Sequence, residues 1–95
     1  MRLRYTQAAR QDLKAIYRSS ARQFGLAQAD AYRDGLLAAL GFCAENPTVV
    51  REIVDNSRAL RAHPYRSHLI IFVIDDETVS IVRVLHSRQD IHRNL

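Results

Sequence analysis

Apolar and polar positions along this chain fall into two regimes: helical spacing in the first half, and short continuous apolar runs in the last third. Ala9, Leu13, Ile16, Tyr17, Ser20 and Phe24 recur at helical spacing and define one mostly apolar stripe. Thr6 stands before the stripe as a helix N-cap, and Gly25 follows it in the usual C-terminal position. A second helix is predicted from Ala27 to Glu45, with Ala29, Tyr32, Leu36, Leu37, Leu40, Cys43 and Ala44 as its apolar positions. Pro47 stops it, because a proline pushes the residue before it, here Asn46, away from helical angles. The tight connection at Gly25 makes the two helices an antiparallel hairpin. Gly35 and Gly41 each cost the second helix about 1 kcal/mol relative to alanine. Close packing against the first helix or the sheet is the reason expected for them.

Leu69–Ile74 and Val79–Leu85 are rich in valine and isoleucine, contain neither Gly nor Pro, and are split by Asp75, Asp76, Glu77 and Thr78. That pattern predicts a β-hairpin lying in the middle of a sheet. Arg2–Tyr5 is short and alternating, as a first or edge strand would be. Val49–Ser57 reads as a connection with a helical turn at Val50–Val54, after which Arg58–Ala62 resumes the sheet. The tail, Ile91–Leu95, is expected along the sheet edge. The predicted order is β-α-α-β-β-β in one domain, 1–95. Its class is α+β, with the helical hairpin packed on one face of an antiparallel sheet. Leu69, Ile71 and Val73 alternate with Ile70, Phe72 and Ile74, so the sheet is apolar on both faces. One face meets the helices; the other needs cover from the tail, a second copy or a partner.

Composition changes this picture in three ways. A hydrophobic content of 47% suits a globular core and excludes a disordered tail. No apolar run approaches the ~20 residues of a membrane span, and the N-terminus lacks the apolar core of a secretory signal. Cys43 is the sole cysteine, so neither an internal disulfide nor a CxxC metal site is available. These features together fit a cytoplasmic protein with no membrane partner. The formal charge is +4, carried almost wholly by arginine, since Lys14 is the only lysine. Arginine grips carboxylates and phosphates through paired hydrogen bonds, so nucleic acid, an acidic peptide or an acidic protein surface all suit this chain.

Arg10, Lys14, Arg18 and Arg22 recur every four residues on the first helix, with only Asp12 near them in sequence. Like charges at that spacing repel by a few tenths of a kcal/mol per pair. The stripe is either a solvated outer face or a surface for meeting negative charge. His86, Asp90 and His92 have the spacing H-x3-D-x-H, but on a helix only His86 and Asp90 would share a face, and no metal is expected. Ser87 between His86 and Asp90 makes no hydrolase, because there is no glycine-bounded nucleophile elbow. Ribonuclease chemistry needs a base, an acid and a cation beside the phosphate. His68, His86, Arg61, Arg83 and Arg88 offer these from neighbouring strands. For His68 the competing role is structural, a ring nitrogen satisfying a group at the start of a buried strand. Arg83, inside an apolar strand, needs a partner, and Asp90 or Asp12 can serve.

The order L-R-A-x-P-x-x-S-H-L-I-x-F, acidic turn, I-V-R-V-L-H-x-R-x-D resembles the ParE branch of the RelE/ParE toxins of bacterial type II toxin–antitoxin systems. Tyr5, Ala8 or Ala9, Asp12, Leu13 and Ile16 match the family's opening helix, and Asn46-Pro47 its helix-ending NP. Leu60, Arg61, Pro64, His68 through Ile70, Phe72, Arg83 through His86, Arg88 and Asp90 match its sheet, while Val50 stands where many members have glycine. The messenger-RNA-cleaving RelE branch resembles the chain in fold. However, His68 occupies a position usually arginine there, and no tyrosine follows Tyr65. The resemblance implies a cofactor-free toxin that inhibits DNA gyrase by protein–protein binding. It also implies a ParD-like antitoxin, which alone brings the toxin to operator DNA. Target contacts are expected at Arg61, Arg66, Arg83, His86, Arg88 and Asp90, and antitoxin contacts at Arg10, Lys14, Arg18 and Arg22. The alternative is a ribosome-dependent endoribonuclease using His68, His86, Arg88 and Arg61.

Overall fold

A computed structural model describes residues 1–55 and 58–95. Its elements are β1 (Arg2–Tyr5), α1 (Gln7–Phe24), α2 (Leu26–Glu45), β2 (Glu52–Asp55), β3 (Arg58–Tyr65), β4 (His68–Asp75) and β5 (Thr78–His86). The strands form one sheet in the order β1-β5-β4-β3-β2. The α+β class and the helical hairpin on one face are as expected, and the hairpin β4–β5 lies inside the sheet.

The sheet departs from expectation in its composition. It is mixed, because β1 runs parallel to β5 while the other pairs are antiparallel. The chain leaves β1 into two helices, a crossover long enough to allow a parallel neighbour. The helical turn expected at Val50–Val54 is replaced by β2, which pairs Glu52–Asp55 with Arg58–Arg61. Four residues are too few to show an alternation in sequence. Of the expected Val49–Ser57 connection, Asn56 and Ser57 lie outside the described residues. Strand β3 also runs beyond Ala62, through Pro64 to Tyr65. Pro64 is tolerated because β2 stops opposite Arg61, so no neighbouring strand on that side needs its missing N–H.

Local signals set the helix ends. The Thr6 side chain accepts a hydrogen bond from the Ala9 N–H at 3.0 Å. Such a cap is worth about 1 kcal/mol. Gly25 is the single residue between the helices and has φ 91, a conformation that favours glycine. Helix α2 starts at Leu26, one residue earlier than expected.

Two apolar layers flank the sheet. On the helix side Ala9, Leu36, Leu40 and Cys43 pack with Ile70, Phe72, Val79, Ile81 and Val84. Burial pushes the Cys43 thiol up to about 11, which leaves it an inert core residue. On the opposite face Leu60, Ile71 and Leu85 are covered in part by Ile91 and Leu95. The tail therefore lies over the second apolar face rather than along the sheet edge. Phe24, expected in the buried stripe of α1, is 61% exposed at the turn end of the hairpin, beside a 66% exposed Leu26.

The two helix glycines separate by environment. A Cβ on Gly35 would collide with the Tyr65 hydroxyl and come within 2.8 Å of its Cζ, so close approach to β3 explains this glycine. Nothing lies within 4 Å of a Cβ on Gly41. Gly41→Ala should therefore stabilise the protein by about 0.5–1 kcal/mol. Gly35→Ala should destabilise it by about 1–3 kcal/mol through overpacking. Urea unfolding of both variants checks this, and equal gains would show that Tyr65 yields freely.

Candidate functional site

Strand β5 is longer than β1, and its outer edge beyond Ile81 has no strand beside it. The start of α1 takes over there. The Thr6 N–H donates to the Ile81 carbonyl at 3.0 Å, and its hydroxyl donates to the Val82 carbonyl at 2.7 Å. Asp12 Oδ2 accepts the Val84 N–H at 2.9 Å. The ladder with β4 shifts register here, so that Ile71 faces Arg83 while Phe72 faces Ile81, leaving Val82 as the extra residue of a bulge.

Arg83 sits beside that bulge. Its Nε and Nη2 donate to Asp12 Oδ2 and Oδ1 at 2.7 and 2.9 Å, and its Nη1 donates to the Asn94 carbonyl at 2.7 Å. The hydrogen bonds to Asp12 raise the guanidinium's pKa above the ordinary arginine value. Of the two partners open in the sequence, Asp12 is the one used. Asp90 instead shapes the turn after β5: its Oδ1 accepts the His92 N–H, and its carbonyl accepts from Asn94 Nδ2.

Because Asp12 is committed to Arg83, it does not relieve the basic stripe of α1. Arg10 lies over the Tyr5 ring at 5.8 Å. Lys14, Arg18 and Arg22 are exposed, and among the described residues no carboxylate comes within ion-pair distance of them.

A second cluster lies at the other end of β4. His68 and His86 are register partners on neighbouring strands, with ring centroids 5.4 Å apart and planes at 79°. The Tyr32 hydroxyl, from α2, sits 2.7 Å from His68 Nδ1. Burial, reinforced by the proximity of His86 and opposed by Asp12, lowers the pKa of His68. His86 Nδ1 accepts the Arg88 N–H at 3.1 Å. Both rings line an open cleft of about 620 Å³ between the helical hairpin and the sheet. Ile16, Ser20 and Phe24 form its α1 wall, and Arg66 and Ser67 its rim. Arg66 is in the two-residue turn joining β3 to β4, with φ 51. A non-glycine residue in that region costs about 1–2 kcal/mol.

The residues expected to act together are thus partly separated. His68 and His86 adjoin one another, and Arg66 and Arg88 are exposed nearby in the two turns. Arg61 is not with them. It pairs in register with Phe72, four positions along β4 from His68, or about 13 Å at strand spacing. Its guanidinium is bound to the Val50 carbonyl and to Glu52. Tyr32 joins the histidines although its sequence position marked it only as apolar; its hydroxyl was the one available signal. Among the described residues no group of three His, Cys, Asp or Glu side chains is placed to hold a metal.

Asp12→Ala removes one half of a mostly buried ion pair, with side chains 15% and 25% exposed, and also orphans the Val84 N–H. Leaving such a charge unpaired should destabilise the fold by about 2–4 kcal/mol. The double variant with Arg83→Leu should recover part of that loss. A double-mutant cycle in urea checks this, and additive losses would deny the coupling.

Over residues 3–91 the chain matches the family described as ParE toxin of type II toxin-antitoxin system, parDE. Two relatives named Toxin ParE1, from two strains of Mycobacterium tuberculosis, are each 33% identical over 89 residues, covering 93% of this chain and 91% of theirs. A solved chain described as the chromosomal ParDE TA system from P. aeruginosa superposes with a TM-score of 0.79 at 17% identity, covering 90% of this chain and 95% of that one. That last likeness is one of fold.

Proposed function

This chain belongs to the ParE family of toxins from type II toxin–antitoxin systems, and we propose that it inhibits DNA gyrase by protein–protein binding and is neutralised by a ParD-like antitoxin. The observation that carries the reading is the family match from residue 3 to residue 91, which includes both helices and every strand from β2 to β5. The action needs no catalytic group, no cofactor and no metal. No helix among the described residues is long and apolar enough to cross a membrane, and the site of action is the cytoplasm, where gyrase works. Operator DNA is reached only through the antitoxin.

The target surface in this reading is the end of the sheet carrying Arg66, His86, Arg88 and Asp90. Arg61 and Arg83 support it from within, since their guanidinium groups are already bound to the chain's own carbonyls and carboxylates. The antitoxin surface is α1, where Lys14, Arg18 and Arg22 present positive charge with no counterion among the described residues and Arg10 lies alongside.

The ribonuclease alternative has one observation in its favour, the His68–His86 pair in an open cleft. One experiment separates the two mechanisms. Purified toxin should make gyrase accumulate cleaved DNA, antitoxin should abolish the effect, and Arg88→Ala should reduce it while changing stability by less than about 0.5 kcal/mol. Cleavage of ribosome-bound messenger RNA with gyrase untouched would overturn the proposal.

The basic stripe has its own test. Replacing Arg18 and Arg22 with glutamate should slow association with antitoxin, most strongly at low salt. Stopped-flow rates that ignore both the substitutions and the ionic strength would remove α1 from that interface.

A further inference from the structure

His68 and His86 use the same ring nitrogen, Nδ1, for their internal hydrogen bonds. The Arg88 backbone N–H can only donate, so His86 Nδ1 is an acceptor and the neutral ring carries its proton on Nε2. The Tyr32 hydroxyl lies 2.7 Å from His68 Nδ1 and 3.5 Å from the Tyr65 carbonyl. In either tautomer of His68 the Tyr32 contact occupies Nδ1, so Nε2 is the nitrogen left for a ligand. Among the described residues neither Nε2 has a protein partner, and neither is a buried unsatisfied atom. The Nε2–H donor of His86 and the Nε2 of His68 therefore open from adjacent strands into one cleft. In its tautomer the His86 Nε2 has no lone pair for a metal ion and is suited to an acceptor group.

The surroundings specify the acceptor further. Arg66, on the rim, lies 5.8 Å from the Tyr65 ring centroid and within electrostatic reach of Tyr32, and among the described residues it has no carboxylate at ion-pair distance, so its guanidinium can pair with an incoming anion. A hairpin turn gains nothing from arginine in the left-handed region, where glycine or asparagine is favoured. The opposite wall is apolar, with Ile16 and the exposed Phe24. We propose that this cleft binds an acidic, apolar peptide segment of a partner protein, with a carboxylate held by His68, His86 and Arg66 and a neighbouring apolar side chain against Ile16 and Phe24. The proposal names the chemistry of the partner in the protein-binding reading above and rests on it, yet it is tested on the toxin alone. A nucleic acid is the less fitting occupant, because the cleft sets one arginine beside a histidine pair rather than the run of cations that tracks a phosphate backbone.

The test uses toxin with ¹⁵N-labelled histidine and a short blocked peptide alternating aspartate and leucine. Titration should shift the Nε2 resonances of both His68 and His86 saturably. The same peptide with asparagine for aspartate should bind about tenfold more weakly, as expected when hydrogen bonds to a charged acceptor are lost. Arg66→Glu should weaken binding of the aspartate peptide at least as much while leaving the thermal melt unchanged. His86→Gln, which keeps a side-chain amide donor, should retain more affinity than His86→Ala. Equal binding of the two peptides, unmoved histidine resonances, or an unaffected Arg66→Glu variant would each overturn the proposal. So would tighter binding of a single-stranded RNA of similar length at the same resonances. A toxin that binds the peptide as expected but leaves gyrase untouched would support this site and refute the gyrase target, so the two failures can be told apart.

Discussion

The Asp12–Arg83 ion pair is the constraint to which the remaining elements are referred. It ties a helix to a strand and, through the Asn94 carbonyl, the strand to the tail. The same carboxylate receives the Val84 N–H, so it also closes the strand edge that β1 is too short to cover. Ion pairs of this kind add little net stability when measured against a well-packed apolar substitute. What this one supplies is position. An apolar contact lets a helix slide along a sheet, whereas a two-toothed hydrogen bond sets α1 at one height on β5 and directs the tail to one face. The bulge at Val82 belongs to the same arrangement, because it offsets the register of β5 just where the helix replaces its strand neighbour.

Much of the fold was legible in the sequence because its strongest local signals agree with its tertiary structure. Thr6 caps, Gly25 turns, Asn46-Pro47 stops, and the two Val/Ile runs pair. What was not legible depended on partners distant in sequence. Strand β2 exists because β3 lies beside it, and nothing within Glu52–Asp55 states that. The parallel direction of β1 is set by the crossover, and the tail's course by Arg83. Phe24 departs from the buried stripe because helical spacing gives the direction of a side chain and not how far the surface beneath extends.

The candidate site was legible in the same partial way. His68 and His86 stood at the ends of two runs, and their adjacency followed once those runs paired. Arg61 also comes from a neighbouring strand, yet strand spacing carries it well down the sheet. Tyr32 was hidden because a tyrosine at a helical core position reads as apolar, and only packing reveals what its hydroxyl meets. The charges of α1 could be counted from sequence. That Lys14, Arg18 and Arg22 have no counterion among the described residues could not, since Asp12, the carboxylate near them in sequence, turns inward to Arg83.

The tail's course has a consequence for how the molecule comes into being. Ile91 and Leu95 cover the second apolar face, and the tail's anchor to Arg83 lies at Asn94. These residues are synthesised after every strand of the sheet. Asp12 waits in the growing chain for a partner 71 positions later, and β1 waits for β5. Domains tend to mature from the N-terminus as they are made, but here the helical hairpin emerges with its apolar stripe bare and its sheet still unwritten. Contacts of such separation are slow to close. Until residues 91–95 have followed β5 out of the ribosome, the sheet has one face uncovered and α1 is not fully anchored. The segment after the last strand is thus what closes the fold.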